Sequence, residues 1–240
     1  MLEKQVVALA HEVSRTGQDL GLPYNAVSAD IGSPEPMVDA DGRPFAETLF
    51  RWIDPELQYW KDRAFALRSA MVHATRTCAE PFYFGKGELG SWRANEALQA
   101  SHDPKQYKEG HIASAIVAPV YLPGGTIGAV VWASDEEIDV RPLFDAHAEH
   151  LHALALKFIA TYYDARAIGP KSPAVYLTRR EIQCLKWAAA GKTDSEIATI
   201  IDISVPTVRF HITNSAKKLG VAGKARAIQR ATVLGYIGNE

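Results

Sequence analysis

The chain has 240 residues, 47% of them hydrophobic and 22% charged, which is the composition of a folded globular protein and excludes a disordered tail. No apolar run approaches the length of a membrane span, and the start, MLEKQVVALAHEVSRTG, has the spacing of an amphipathic helix rather than of an export signal, so the expected compartment is the cytoplasm, with no membrane partner. Its two cysteines, Cys78 and Cys184, have neither metal-ligand nor Cys-x-x-Cys spacing, which excludes a disulfide framework. The net charge of -2 hides an asymmetry. From Ala174 to Glu240 there are ten Lys and Arg against five Asp and Glu, a net of +5, and the remaining residues carry 16 against 23, a net of -7. A basic C-terminal module suits a polyanion; the acidic body before it does not.

In chain order, Leu2, Val6, Leu9 and Val13 recur at helical spacing, and Gly17 and Gly21 to Pro23 mark the end of that helix. The stretch SPEPMVDADGRPF predicts turns with at most a short strand. From Glu56 to Arg76 there is no Gly or Pro, and Leu57, Trp60, Ala64, Leu67, Met71 and Ala74 fall three or four apart, so one long core-facing helix is expected. Pro81 to Gly85 reads as a short aromatic strand and Trp92 to Ser101 as a helix. Ile112 to Leu122 and Ile127 to Ser134, joined by Pro123-Gly124-Gly125-Thr126, predict a β-hairpin, and Arg141 to Arg166 a long helix. The fold class expected is α+β: an N-terminal α/β/α sandwich around an antiparallel sheet over residues 1–166, a linker over 167–174 rich in Gly and Pro, and an all-α domain over 175–240.

The C-terminal domain has the strongest local signals. Thr178 with Glu181, and Thr193 with Glu196, are capping boxes, in which hydroxyl and carboxylate each satisfy an orphan amide at a helix start. Gly191 closes the first helix. Ser204 before Val205 and Pro206 starts a third, and two helices joined by a tight turn make a helix-turn-helix. Along the third helix, Val208, Ile212, Ser215, Ala216 and Leu219 form a buried stripe, which leaves Arg209, Thr213 and Lys217 on an exposed one. An Arg guanidinium can bridge guanine O6 and N7 in the major groove, so Arg209 is the first choice for base readout, with Thr213 and Asn214 next. Lys192, Thr193, Ser204, Thr207, Lys217 and Lys218 stand at helix starts or flanks, where they would hold phosphates and fix register.

The strings L-T-x-R-E, A-A-x-G-K-T-x-x-E-I-A, I-S-x-x-T-V-x-F-H and K-L-G-V, between Leu177 and Val221, resemble the DNA-binding domain of the LuxR family of bacterial transcription regulators. The resemblance implies a fold built on Glu181, Leu185, Gly191, Ile197, Ala198, Val208 and Leu219. It further implies that a fourth helix, Lys224 to Leu234, pairs two copies in a homodimer on double-stranded DNA, on a pseudo-palindromic operator with half-sites about one helical turn apart.

Before the linker, the order of elements and the hairpin I-x-x-P-V-x-x-P-G-G-x-I-G are similar to the acyl-homoserine-lactone-binding domain of quorum-sensing regulators of that family; nothing matches a phosphorylated receiver domain. The resemblance departs where it matters for chemistry. The family's Asp-Pro pair, whose Asp accepts the ligand amide, lines up with Ser69 and Ala70, and Val131 stands where a Ser or Thr is common, with Ser134 near. A small apolar effector is therefore expected, in a pocket between the sheet and the Glu56 to Arg76 helix, lined by Trp60, Phe65, Phe82, Phe84, Val117 and Val131 together with Tyr59, Trp52 and Trp92. The alternative within the family is a lactone receptor with a rearranged polar set. The alternative outside it is a metabolite-binding or enzymatic module carrying a vestigial helix-turn-helix. No catalytic constellation can be singled out from spacing, no cofactor or metal is implied, and Asp54-Pro55 reads as a helix start.

Overall fold

The computed structural model describes residues 1–54, 56, 69–166 and 175–238. The chain divides into two compact units, one of Met1–Leu122 with Thr126–Gly169 and the other of Pro123–Gly125 with Pro170–Glu240. The expected linker, residues 167–174, lies outside the described residues.

The first unit is organised by a five-stranded sheet in which every pairing is antiparallel, in the order β1-β5-β4-β2-β3. Its strands are β1 (Tyr24–Ser28), β2 (Phe82–Gly85), β3 (Glu88–Ser91), β4 (Ser114–Leu122) and β5 (Thr126–Ser134). The expected hairpin is β4 and β5, registered from Ser114 opposite Ser134 to Leu122 opposite Thr126. Side chains alternate across a strand, and here both faces are buried. Ile116, Ala118, Val120, Val130 and Trp132 point into one core with helix α1 (Leu2–Asp19) and the long helix α6 (Val140–Arg166). Phe82, Phe84, Ala115, Val117, Val131 and Ala133 point into a second core, under helix α3 (Ala70–Thr77) and the short helices α4 (Glu96–Ala100) and α5 (Pro104–Glu109). This is the expected α/β/α sandwich.

Polar anchors fix the layers. The Trp132 indole Nε1 donates to the Val13 carbonyl at 3.0 Å and so ties β5 to α1. The Tyr162 hydroxyl accepts the Val38 amide at 3.1 Å, and Arg166 Nη2 donates to the Val38 carbonyl at 2.9 Å, which fastens the Asp- and Pro-rich loop to the end of α6. That loop contains one isolated bridge, Val38 to Pro44, followed by the one-turn helix α2 (Phe45–Thr48).

The short helices α2 and α5 were not expected and the helix expected from Trp92 begins only at Glu96; three further differences bear on the sheet and its cavity. No helix runs unbroken from Glu56 to Arg76, because Ser69 is extended, with ψ 118°, and starts α3 as its N-cap. The absence of Gly and Pro permits a long helix but does not require one, and a Ser hydroxyl that accepts the Val72 amide offers the backbone an alternative start. Strands β1 and β3 went unpredicted. Each is short and lies at an edge of the sheet, where half its backbone needs no partner and its pattern is too brief to show alternation.

The second unit consists of helices α7 (Arg179–Ala189), α8 (Asp194–Ile200), α9 (Val205–Lys218) and α10 (Lys224–Val233). Their buried residues include Leu185, Ile197, Val208, Ile212, Leu219 and Ala227. Both capping boxes form as expected, and Ser204 accepts the Thr207 amide at 3.3 Å.

Trp132 is wholly buried and carries the anchor to α1, so Trp132→Ala should destabilise the first unit by about 3–5 kcal/mol. Denaturant unfolding should show it as a lower midpoint, with no change in the amide protection of α7 to α10.

Candidate nucleic-acid interface and ligand cavity

The C-terminal unit presents one face of α9. Arg209, Thr213 and Lys217 are exposed, as their spacing demands, while Thr207 and Asn214 are half-buried at its margins. Phe210 stands beside Arg209 with 60% of its surface exposed, and sequence reasoning passed over it. The signal was available: Phe210 falls outside the stripe of Val208, Ile212 and Ala216, so a helix that buries that stripe must expose it.

Arg209 is not a free surface cation. Its Nε donates to Asp194 Oδ2 at 3.2 Å, and the other oxygen of the same carboxylate takes Lys224 Nζ at 3.1 Å. Lys224, and Arg209 after it, hold the Asp194 carboxyl below the usual carboxylate range. Asp194, at the first position of α8, was not singled out from sequence, since an acid there reads as an ordinary helix-dipole residue.

The phosphate-holding set is dispersed in its duties. Ser204 and Thr193 use their hydroxyls as helix caps, and Thr207 Oγ1 lies 2.8 Å from Ser204 Oγ. The Lys192 ammonium lies 4.0 Å from Glu196. Lys218, expected on a phosphate, donates to Glu181 Oε2 at 2.8 Å. Glu181 is buried, and the same oxygen accepts the Thr178 amide at 2.7 Å. A carboxylate removed from water needs a cation and donors, and Lys218 at the end of α9 supplies the cation. Burial pushes the Glu181 carboxyl up, but the bonds from Lys218 and Thr178 outweigh it and hold the group below its ordinary value.

In the first unit, a cavity of about 80 Å³ lies against the second core, bounded by Ala26, Val27, Ser28 and Ile31, by Trp52, by Ser69, Met71, Val72 and Thr75, and by Ala129 and Val131. It brings together three residues expected at the pocket: Trp52, Ser69 and Val131. Tyr59, Trp60 and Phe65 lie outside the described residues. Phe82, Phe84 and Val117 share the sheet face with Val131 but fill the core beside the cavity; Phe84 stacks on Tyr107 with centroids 3.9 Å apart.

Two expectations are corrected. Ser134 is three positions from Val131, and the two-residue repeat of a strand puts it on the opposite face, where its hydroxyl accepts the Glu136 amide. Trp92 is half exposed, near His152 of α6, one residue beyond the edge strand whose Leu89 faces the second core. The wall that sequence missed is β1, together with the Thr75 side of α3. Asp54 accepts the Glu56 amide at 2.9 Å, and the helix it is expected to start lies outside the described residues.

Residues 175–231 match the family of bacterial regulatory proteins of the luxR type. The four helices of the second unit are therefore a LuxR-type helix-turn-helix domain. The chain is similar to the transcriptional activator VanR of Vibrio anguillarum, 54% identical over 65 residues, which are 27% of each protein. It is 28% identical over 134 residues to the activator LuxR of Aliivibrio fischeri, covering 55% of this chain and 53% of that one. It is also 34% identical over 137 residues to the quorum-sensing-dependent regulator VjbR of Brucella abortus, covering 57% and 51%. The alignments thus span a quarter to about half of these relatives. Escherichia coli SdiA has the same fold over 98% of this chain and 92% of its own, with a TM-score of 0.53 at 20% identity. Among the described residues, no helix is long and apolar enough to cross a membrane.

Glu181 and Asp194 bind a proton less tightly folded than unfolded. Their contribution to stability is complete above the ordinary carboxylate range of the unfolded chain and is lost as pH falls through the lower folded values. Amide protection of α7 and α9 should therefore drop in that acid range, and Glu181→Gln should flatten the drop. Lys218→Ala should cost about 1–3 kcal/mol in the same measurement, since it leaves a buried acceptor poorly paired.

Proposed function

We propose that this protein is a ligand-responsive transcription regulator that reads double-stranded DNA through α9. The observation that carries the reading is the exposed face of Arg209, Phe210, Thr213 and Lys217 on the second helix of a LuxR-type helix-turn-helix. Arg209 reads a guanine, Thr213 and Asn214 contact neighbouring base edges, and Lys192, Thr193, Ser204, Thr207 and Lys217 position the backbone. Lys218, which gives one of its three donors to Glu181, joins that set with the others. Two copies paired through α10 meet a two-fold operator, which is the reading the family resemblance supports.

The effector is a small, mostly apolar molecule held at the cavity under α3. Its described polar groups are the hydroxyls of Ser28, Ser69 and Thr75, with no carboxylate, so an amide-bearing signal finds only weak acceptors there. That described lining favours a compound with few buried donors. The relatives named above are transcription regulators and not enzymes, which favours this reading over a catalytic module.

In a binding-site selection with purified protein, Arg209→Ala should lose preference at one base pair of each half-site, at a cost of about 1–3 kcal/mol. A selection profile identical to that of the parent chain sinks the assignment. For the effector, mass spectrometry of the copurifying compound and a thermal shift on adding it back should raise the melting temperature of the parent chain. Val131→Trp, which fills the cavity, should abolish that shift while leaving DNA binding measurable.

A further inference from the structure

The Asp194 carboxylate has an arrangement that helix capping does not account for. One oxygen holds Arg209 of α9 at 3.2 Å and the other holds Lys224 of α10 at 3.1 Å, so a single side chain at the start of α8 ties the three helices together. The Arg209 side chain nevertheless stays 70% exposed, against 26% for Asp194. The bond engages Nε, not the two terminal nitrogens. A guanidinium held by Nε keeps both terminal N–H groups as a planar fork, the shape that meets O6 and N7 of one guanine.

We propose that Asp194 is a positioning residue for base recognition: it fixes the Arg209 guanidinium edge-on, so that Arg209 discriminates one base pair instead of serving as a mobile cation. The inference rests on the DNA-reading function proposed above. Its reason is entropic. A long side chain that must be frozen on binding loses rotamer freedom at that moment, and one already held in the bound geometry loses less. Lys224 contributes by neutralising the carboxylate, which otherwise faces the DNA as an uncompensated negative charge next to phosphate.

The position has a signature that a merely structural residue lacks. Removing Asp194 removes a negative charge from the DNA-facing surface, so binding to arbitrary DNA should tighten, while preference at the Arg209 base pair should fall. A residue needed only for folding lowers both together.

The test measures binding of the full chain to its selected operator, to single-base variants of it and to unrelated DNA, for the parent, Asp194→Ala, Asp194→Asn, Arg209→Ala and the double variant Asp194→Ala with Arg209→Ala. Asp194→Ala should reduce discrimination at the Arg209 base pair about tenfold and leave discrimination elsewhere intact. Its affinity for unrelated DNA should be unchanged or higher. Asp194→Asn, which keeps the size and an acceptor oxygen, should fall between parent and Ala, and melting curves of both variants establish that they fold. In the double variant, Asp194→Ala should add nothing to the loss from Arg209→Ala at that base pair. Full discrimination in a folded Asp194→Ala, or a proportional loss on all sequences, overturns the positioning role while leaving DNA reading intact. A parent chain that selects no sequence overturns the DNA-reading function itself, and the inference with it.

Discussion

The C-terminal unit depends on one buried carboxylate. Glu181 closes the capping box of α7 and receives the ammonium of Lys218 from the last turn of α9, so the start of the first helix and the end of the third are joined at one oxygen. Removing a carboxylate from water costs several kcal/mol, and only a near-complete set of donors offsets it. The position of α9 is set by that requirement as well as by the apolar stripe of Val208, Ile212 and Ala216. Arg209 projects from the same helix, four positions before Thr213, so the constraint that closes the domain also sets the direction in which this face points.

A second carboxylate repeats the device at the surface. Glu181 spans α7 and α9, and Asp194 spans α8, α9 and α10. The two differ in what they hold. Lys218 gives a donor to a buried carboxylate and is 39% exposed, whereas Arg209 is held by Nε and is 70% exposed. Sequence spacing placed both cations on accessible parts of α9 and could not separate them, because the separation is made by acids that are 37 and 15 residues away in the chain.

Legibility from sequence followed the range of the interactions. Capping boxes are made by residues three apart, and both formed where Thr178 with Glu181 and Thr193 with Glu196 announced them. The hairpin of β4 and β5 is equally local and was legible to within two residues. Strand β1 pairs with β5 across more than a hundred residues, and nothing within Tyr24–Ser28 signals that partner. Ser134 was misplaced for a simpler reason. Nearness to Val131 in sequence was taken as nearness in space, although an odd separation along a strand places two side chains on opposite faces of the sheet. Ser69 was placed at the pocket by family alignment, and the geometry gives it two duties, cavity wall and helix start.

Those two duties bear on how a ligand could act. The described cavity, about 80 Å³, is well below the roughly 300 Å³ or more of sites that enclose drug-sized molecules. Among the described residues, the wall around it is supplied mainly by β1, α3 and β5. Ser69 is the N-cap of α3, and the amide of the next residue, Ala70, is held by Gln106 of α5 at 2.7 Å, so pressure at this point of the wall acts on a helix start rather than on a loose loop. A ligand shifts a conformational equilibrium only by its difference in affinity between the states. A wall that has to move on occupancy supplies such a difference, and one already open to the ligand's full size would supply little. A ligand that acted at the capped start of α3 would therefore have to favour one arrangement of that helix over another.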